Sequence, residues 1–384
     1  MKVNDVMACS FPSWYEKFKK CTIKSIVIPL TTDVLAYMQD NGTLVLPEGS
    51  QPEPEYRTNT EDESDSYEDW EHCRTTGTSV EGPKLEEFNA KVNDAIKKLG
   101  GSAFPKLNWS SPKDASWIAL NKSLRCSTAG DVYLLLKSSN FVAHDLTSPF
   151  KDCDDEPNTS IDYYFILRKW MEINPSNEFR CFVRNKELIG ICQRDTSQSY
   201  GCIGSDKTRI CSDIVSFWRE NIENRFPLSC YTFDVYRPAK DHVTLVDFNP
   251  FGETTDGLLF TWSELKQKED TRPSTDRTIE EVAEEEEQEG DIIQYNERNL
   301  VDSNRQTDSV IGDTYSFGED GDTSPEFRYI SDATGVQPSP YMQYGLPLDI
   351  VDLSTGQDPQ KLMDFLQMKI QSEADESSDE EVPS

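Results

Sequence analysis

Apolar residues are segregated along this chain: blocks that can build a core alternate with acidic runs that cannot, and this segregation limits the fold more than any other feature. From about Glu48 to Glu81 the sequence is Pro, Ser, Thr, Glu and Asp with isolated Tyr67 and Trp70. From Glu269 to about Pro325 it is again acidic and low in complexity, including Glu284, Glu285, Glu286 and Glu287, and from Ser372 to Ser384 it is acidic once more. Such runs bury too little apolar area to offset the entropy of ordering. They are expected to form a disordered insertion at about 48–82, a disordered linker at 266–326 and a disordered tail at 372–384. What remains is a folded body over 1–265 and a segment over 327–371. The helical pattern of Leu362, Met363, Phe365, Leu366 and Met368 in that segment needs a surface to pack on. Ser377 and Ser378, upstream of Asp379, Glu380 and Glu381, are candidate phosphorylation sites in acidic context.

Charge and cysteine usage narrow the function classes. The 384 residues carry a formal net charge of −32, and no cluster of Lys and Arg supplies the basic stripe that phosphate-backbone binding requires, so direct nucleic-acid binding is not expected. A small basic pocket for one nucleotide is compatible with this balance. The ten cysteines show no C-x-x-C pair, and three histidines add little to a zinc site. With no secretory segment and no apolar run near membrane-spanning length, we expect a cytoplasmic protein with reduced core thiols and no membrane contact.

Within the body, Phe11, Trp14, Tyr15 and Phe18 fall at helical spacing, Thr22 to Leu30 reads as a strand, Asp33 to Met38 as a helix and Thr43 to Leu46 as a short strand. Pro83 is expected to open a helix whose Leu85, Phe88, Val92, Ile96 and Leu99 share one face before Gly100 and Gly101 stop it. Strands are predicted over Tyr163–Trp170, Glu178–Val183, Leu188–Arg194, Tyr231–Arg237 and Val243–Asn249, an α+β pattern with much antiparallel pairing.

The last two strands hold the sharpest chemical signal. Alternation puts Phe233, Val235, Val246 and Phe248 on a core face, with Leu245 an exception on the other, and leaves Asp234, Asp247 and Asn249 together on the opposite face. Asp is depleted in strand interiors, and two carboxylates with an amide oxygen suit Mg2+, which completes its shell with waters and phosphate oxygens. Lys106, Arg168 and Lys169 offer cations for those phosphates. Glu178 and Arg180 share one strand face, as do Cys192 and Arg194. Trp109, Trp170 and Trp262 either stack on a base or fill the core. No G-x-x-x-x-G-K-[ST] loop and no G-x-G-x-x-G is present, and His72, His144 and His242 have no evident nucleophile partner.

The strings Phe104-Pro105-Lys106-Leu107-Asn108-Trp109-Ser110, Leu167-Arg168-Lys169-Trp170, Glu178-Phe179-Arg180-Cys181-Phe182-Val183, Gln193-Arg194-Asp195 and Val246-Asp247-Phe248-Asn249-Pro250-Phe251-Gly252 together resemble the eukaryotic cell division cycle protein 123 family. The likeness continues through Asp256 to Trp262 and resumes at Val336 to Tyr341 and Val351 to Gly356. It implies an ATP-grasp fold, two α+β lobes clamping ATP, and an assembly chaperone for eukaryotic translation initiation factor 2 that engages the γ subunit and promotes its joining with the α subunit. Carried over by motif, Lys106, Asn108, Trp109 and Ser110 would line the nucleotide cleft, and Arg168, Lys169 and Trp170 would lie near the base. Glu178, Arg180 and Arg194 would face ribose and phosphates, while Asp234, Asp247 and Asn249 would hold Mg2+. The segment after the linker would wrap the body and contribute to the γ-subunit contact, and a monomer is expected when the protein is free. The rival classes are an ATP-grasp ligase joining a carboxylate to an amine through an acyl phosphate, and an acidic scaffold with a vestigial cleft.

Overall fold

A computed structural model describes residues 1–40, 44–52, 81–119, 122–157, 160–267, 324–331 and 336. The expectations for most of the acidic insertion, for nearly all of the linker, for the helix around Leu362 to Met368 and for Ser377 and Ser378 fall outside the described residues. Those described divide into two compact units. One is drawn from Met1–Lys24, Phe150–Ser160 and Met171–Ser339, the other from Ser25–Pro149 and Ile161–Trp170.

The smaller sheet belongs to the second unit. Strands β1 (Ser25–Pro29), β2 (Ala103–Lys106) and β3 (Tyr164–Lys169) pair antiparallel in the order β1-β3-β2. Helices α3 (Thr32–Gln39), α4 (Glu86–Lys98), α5 (Ala129–Lys137) and α6 (Asn140–Thr147) complete it. The apolar face foreseen for α4 is realised, since Leu85, Phe88, Val92, Ile96 and Leu99 are all buried in one cluster with Tyr133, Phe165 and Leu167. Each such side chain contributes about 1.5–3 kcal/mol through burial. Gly100 and Gly101 end the helix with φ of 103° and 87°, a region that costs glycine little. The helix starts at Glu86 rather than Pro83, with Leu85 at the N-cap position.

Residues 44–46 are not a strand. β-propensity alone cannot hold an extended segment without a ladder partner. Here the Val45 carbonyl instead accepts from Tyr37 Oη at 2.9 Å, and Leu46 packs against the core.

The first unit is built on strands β4 (Glu178–Arg184), β5 (Glu187–Gln193), β6 (Tyr231–Ala239), β7 (His242–Pro250) and β8 (Glu326–Arg328), in the order β7-β6-β4-β5-β8. All pairs are antiparallel except β5 with β8. Asn185 and Lys186, both at positive φ (50° and 61°), make the two-residue turn whose twist suits a tight hairpin. Helices α1 (Val3–Cys9), α2 (Phe11–Phe18), α7 (Gly201–Asn221) and α8 (Trp262–Gln267) belong to the same unit. An aromatic core fills one face of the sheet. Phe226 stacks on Phe248 at 4.0 Å, Trp14 meets Phe248 edge-on at 5.3 Å, and Phe18 lies 5.2 Å from the same ring.

One feature of the β6–β7 pairing departs from strict alternation. Asp234 pairs with Asp247 but Val235 pairs with Leu245, so Val246 is the extra residue of a bulge. The bulge reverses the facing of everything before it on β7. Leu245 is therefore fully buried opposite Val235, and Val246 is only half-buried, the opposite of what uniform period two assigns.

Among the described residues, no helix is long and apolar enough to cross a membrane.

Candidate functional site

The candidate residues divide between the units. In the five-stranded sheet, register sets Cys192, Arg180, Asp234 and Asp247 in one row across β5, β4, β6 and β7. Thr232 and Asn249 form the next pair on that face, so Asp234, Asp247 and Asn249 do project together. Directly opposite side chains stand about 4.5–5.5 Å apart at Cβ, so Asp234 and Asp247 are neighbours on that face.

Two arginines hold Asp234. Arg180 donates from Nε to Oδ1 at 2.8 Å and from a terminal nitrogen to Oδ2 at 2.9 Å, and Arg194 Nε donates to Oδ2 at 3.1 Å. A third Arg180 nitrogen donates to the Asp256 carbonyl at 2.7 Å. Arg180 and Asp234 are 5% and 2% exposed, and an ionised carboxylate so deep is tolerated only when paired in this way. Arg194 follows β5, and its backbone N–H donates to the Glu178 carbonyl at 3.1 Å, which ties Glu178 and both arginines to one corner of the sheet. Asp247 and Asn249 are half-buried, with Asp247 Oδ1 accepting from the Phe248 N–H at 3.1 Å.

The donor set fits magnesium. No group of three or more His, Cys, Asp or Glu is poised for a metal among the described residues. The set is two carboxylates and one amide, so a hard cation here takes the rest of its shell from waters or from a ligand's phosphates, as Mg2+ prefers. The guanidinium groups on Asp234 offset the repulsion between two facing carboxylates and leave further lone pairs on the same oxygens.

In the other unit, the loop from Lys106 to Ser110 is tied down by its own predicted ligands. Lys106, 2% exposed, donates from Nζ to the Trp109 carbonyl. Asn108 spends its amide on the chain leading into β3, donating to the Asp162 carbonyl and accepting from the Tyr164 N–H, both at 2.9 Å. The Leu107 N–H donates to the Ser110 carbonyl at 2.8 Å, closing the turn. Ser110 gives its hydroxyl and N–H to Asp145, at 2.8 and 2.7 Å. These side chains fix the loop, and Trp109, half-buried, is the part of it with a ring to present.

Arg168 is buried on β3 between Ser25 and Phe104, while Lys169 is exposed. Trp170 is anchored by its N–H on the Ser102 carbonyl at 3.4 Å. Its indole nitrogen is buried with no hydrogen-bond partner among the described residues, an orphaned donor of the kind that a ligand can satisfy. Trp262 packs, half-buried, against the core, edge-on to Phe251 at 4.9 Å and donating to the Thr255 carbonyl at 2.8 Å.

Asp145 escaped the sequence reading because it sits in an otherwise unremarkable helical stretch. It is 4% exposed, and burial pushes its carboxyl above the usual carboxylate range while hydrogen bonds from Ser110 pull it back. An acid inside the run Phe141 to Leu146 was the available signal, but nothing in the sequence points it at Ser110.

The family described as D123 matches residues 14–354. The chain belongs to the D123 family. Among its relatives, a Xenopus laevis protein named translation initiation factor eIF2 assembly protein is 45% identical over 383 residues, covering 99% of this chain and 100% of that one. A Dictyostelium discoideum protein of the same name is 34% identical, covering 93% and 94%. The solved structure of Cdc123 from Schizosaccharomyces pombe superposes with a TM-score of 0.56 at 37% identity, over 69% of this D123 chain and 92% of that one. The resemblance to the cell division cycle protein 123 family is thereby established.

Proposed function

We propose that this D123 protein binds Mg2+ and ATP in the ATP-grasp manner and uses that complex to assemble eukaryotic translation initiation factor 2, engaging its γ subunit and promoting its joining with the α subunit. The relatives' name supports the assembly role. The observation that supports the nucleotide part is the row of Arg180, Asp234 and Asp247 across three strands, with Asn249 one pair further on the same face.

In this reading Asp247 and Asn249 are the principal protein ligands of the cation, and Asp234 adds an oxygen while its arginines keep it ionised. Magnesium, when bound, neutralises phosphate charge and fixes the phosphates' orientation. Arg180 and Arg194 lend positive potential to the same face, and the Glu178 carboxylate is the acceptor for a ribose hydroxyl. The Lys106–Ser110 loop contributes the Trp109 ring and backbone donors, with Lys106, Arg168 and Lys169 supplying positive charge and Trp170 an indole N–H. Because the polar side chains of the loop are already committed to holding its shape, recognition there costs little ordering on binding.

The test is initiation-factor assembly in cells whose only copy carries Asp247→Ala. Loss of γ–α joining, with the variant present at normal abundance, is the expected result. Normal joining would remove nucleotide from the assembly role.

A further inference from the structure

We infer that Asp145 is the positioning residue of the nucleotide loop: a carboxylate that touches no ligand but sets affinity by fixing Trp109 and Ser110 from behind. The inference rests on the nucleotide reading above and adds a residue to it.

Asp145 lies near the C-terminal end of α6, 35 residues from Ser110 in sequence. One of its oxygens, Oδ2, receives two consecutive backbone N–H groups, from Trp109 at 3.3 Å and Ser110 at 2.7 Å. The other, Oδ1, receives the Ser110 hydroxyl at 2.8 Å. Consecutive N–H groups converging on one oxygen form a nest, an arrangement that suits an anion, and here the protein fills it with its own acid. Burial pushes the carboxyl up, and the hydrogen bonds from Ser110, with the neighbouring charge of Lys106, pull it back. Behind Asp145, its backbone carbonyl accepts from Tyr163 Oη at 3.0 Å, so the helix end is itself moored beside β3. The carboxylate therefore connects a packed helix to the loop that presents Trp109, and both N–H groups of that turn point inward. Without it, two backbone donors and a hydroxyl lose their acceptor, and the turn must reorient to find another.

A control lies in the same unit. Asp114 is 4% exposed, as Asp145 is, and it accepts from Ser139 Oγ at 2.6 Å and from the Asn140 N–H at 2.7 Å. It caps the start of α6 and serves no part of the loop, so its loss reports stability alone.

The experiment is a calorimetric titration of Mg-ATP into wild type, Asp145→Asn, Ser110→Ala, the double variant and Asp114→Asn, with amide hydrogen exchange at Trp109 and Ser110 read in the ligand-free proteins. We expect Asp145→Asn to weaken binding about tenfold, the equivalent of one well-made hydrogen bond, and to speed exchange at both amides. Asp114→Asn lowers stability but changes neither readout. Ser110→Ala weakens binding less, and the double variant is no worse than Asp145→Asn, because both changes remove the same contact. Wild-type affinity in Asp145→Asn would overturn the inference while leaving the nucleotide reading intact. Tighter binding would also overturn it, since the carboxylate would then be a competitor of phosphate for the nest. Absence of binding by the wild type would overturn the nucleotide reading itself, and the inference with it. Should Asp145→Asn fail to fold, Ser110→Ala carries the test: unchanged affinity and unchanged exchange there would refute the inference.

Discussion

Replacing Asp234 by Asn separates two roles that the same carboxylate plays, because they change the stability of the ligand-free protein in opposite directions. As an anchor for arginines, Asp234 accepts three charge-assisted bonds, of 2.8 and 2.9 Å from Arg180 and 3.1 Å from Arg194. Asn keeps the shape but removes the charge and turns an NH2 toward a guanidinium. Breaking a buried ion pair from one side costs about 3–5 kcal/mol, and the 3% exposure of the Asp234 side chain and 6% of Arg180 give water little access to relieve it. Arg194, 18% exposed, can be resolvated, so Arg194→Ala is expected to cost about 1 kcal/mol. As one of two facing metal ligands, by contrast, Asp234 repels Asp247, and its neutralisation alone would stabilise. Asp247 is only half-buried, so water can relieve the loss of its charge, and Asp247→Asn is expected to change stability by about 0.5 kcal/mol or less. Amide exchange of β4 and β6, measured peptide by peptide, reports this locally without requiring the whole chain to unfold in one step. Faster exchange in Asp234→Asn, with Asp247→Asn like the wild type, is the expected pattern. Equal or greater protection in Asp234→Asn would refute the anchoring argument.

Three further outcomes follow from the packing. Phe248→Ala removes the ring that meets Trp14, Phe18 and Phe226 and is expected to cost about 3–5 kcal/mol in denaturant unfolding. Burial alone would raise the Glu264 carboxyl, but hydrogen bonds from Arg328 and Thr261 outweigh it and hold the group below its ordinary value. Its folded value lies below its unfolded one, so the stability it lends to the docking of β8 is full above the unfolded value and lost as pH falls through the lower folded value. Exchange protection of residues 324–331, corrected for intrinsic rate, should therefore drop on acidification below about pH 4.5, and Glu264→Gln should flatten that dependence. Burial pushes the Cys192 thiol up to about 12 while Cys202 is exposed, so iodoacetamide at mildly alkaline pH should label Cys202 in the native protein and spare Cys192.

Helices α2, α3 and α4 and strands β1 and β3 to β7 were legible because their signals are local. Phe11, Trp14, Tyr15 and Phe18 follow the helical period, the α4 face follows it over four turns, and β6 and β7 alternate. The shared face of Asp234, Asp247 and Asn249 was legible for the same reason. What was not legible depends on partners distant in sequence. The bulge at Val246 exchanges the facing of Leu245 and Val246, and alternation carries no mark of where a ladder admits an extra residue. Arg180 lies 54 residues from Asp234, so their pairing is invisible until β4 and β6 lie side by side. Lys106 reads as a cation for phosphates, and Asn108 and Ser110 come in by motif from the family resemblance, yet the structure bonds these side chains to Trp109, to the chain around Asp162 and Tyr164, and to Asp145. The segment at residues 44–46 had strand propensity without a strand beside it.

The central claim is that one hard cation is shared between a nucleotide and the oxygens of β6 and β7. Electron paramagnetic resonance with Mn2+ in place of Mg2+ tests it most directly, since protein-bound and free manganese give separate signals. The account predicts that wild-type protein captures Mn2+ together with ATP, and that Asp247→Ala and Asn249→Ala each leave the manganese signal that of Mn2+ and ATP without protein. Capture at wild-type affinity by both variants would contradict it.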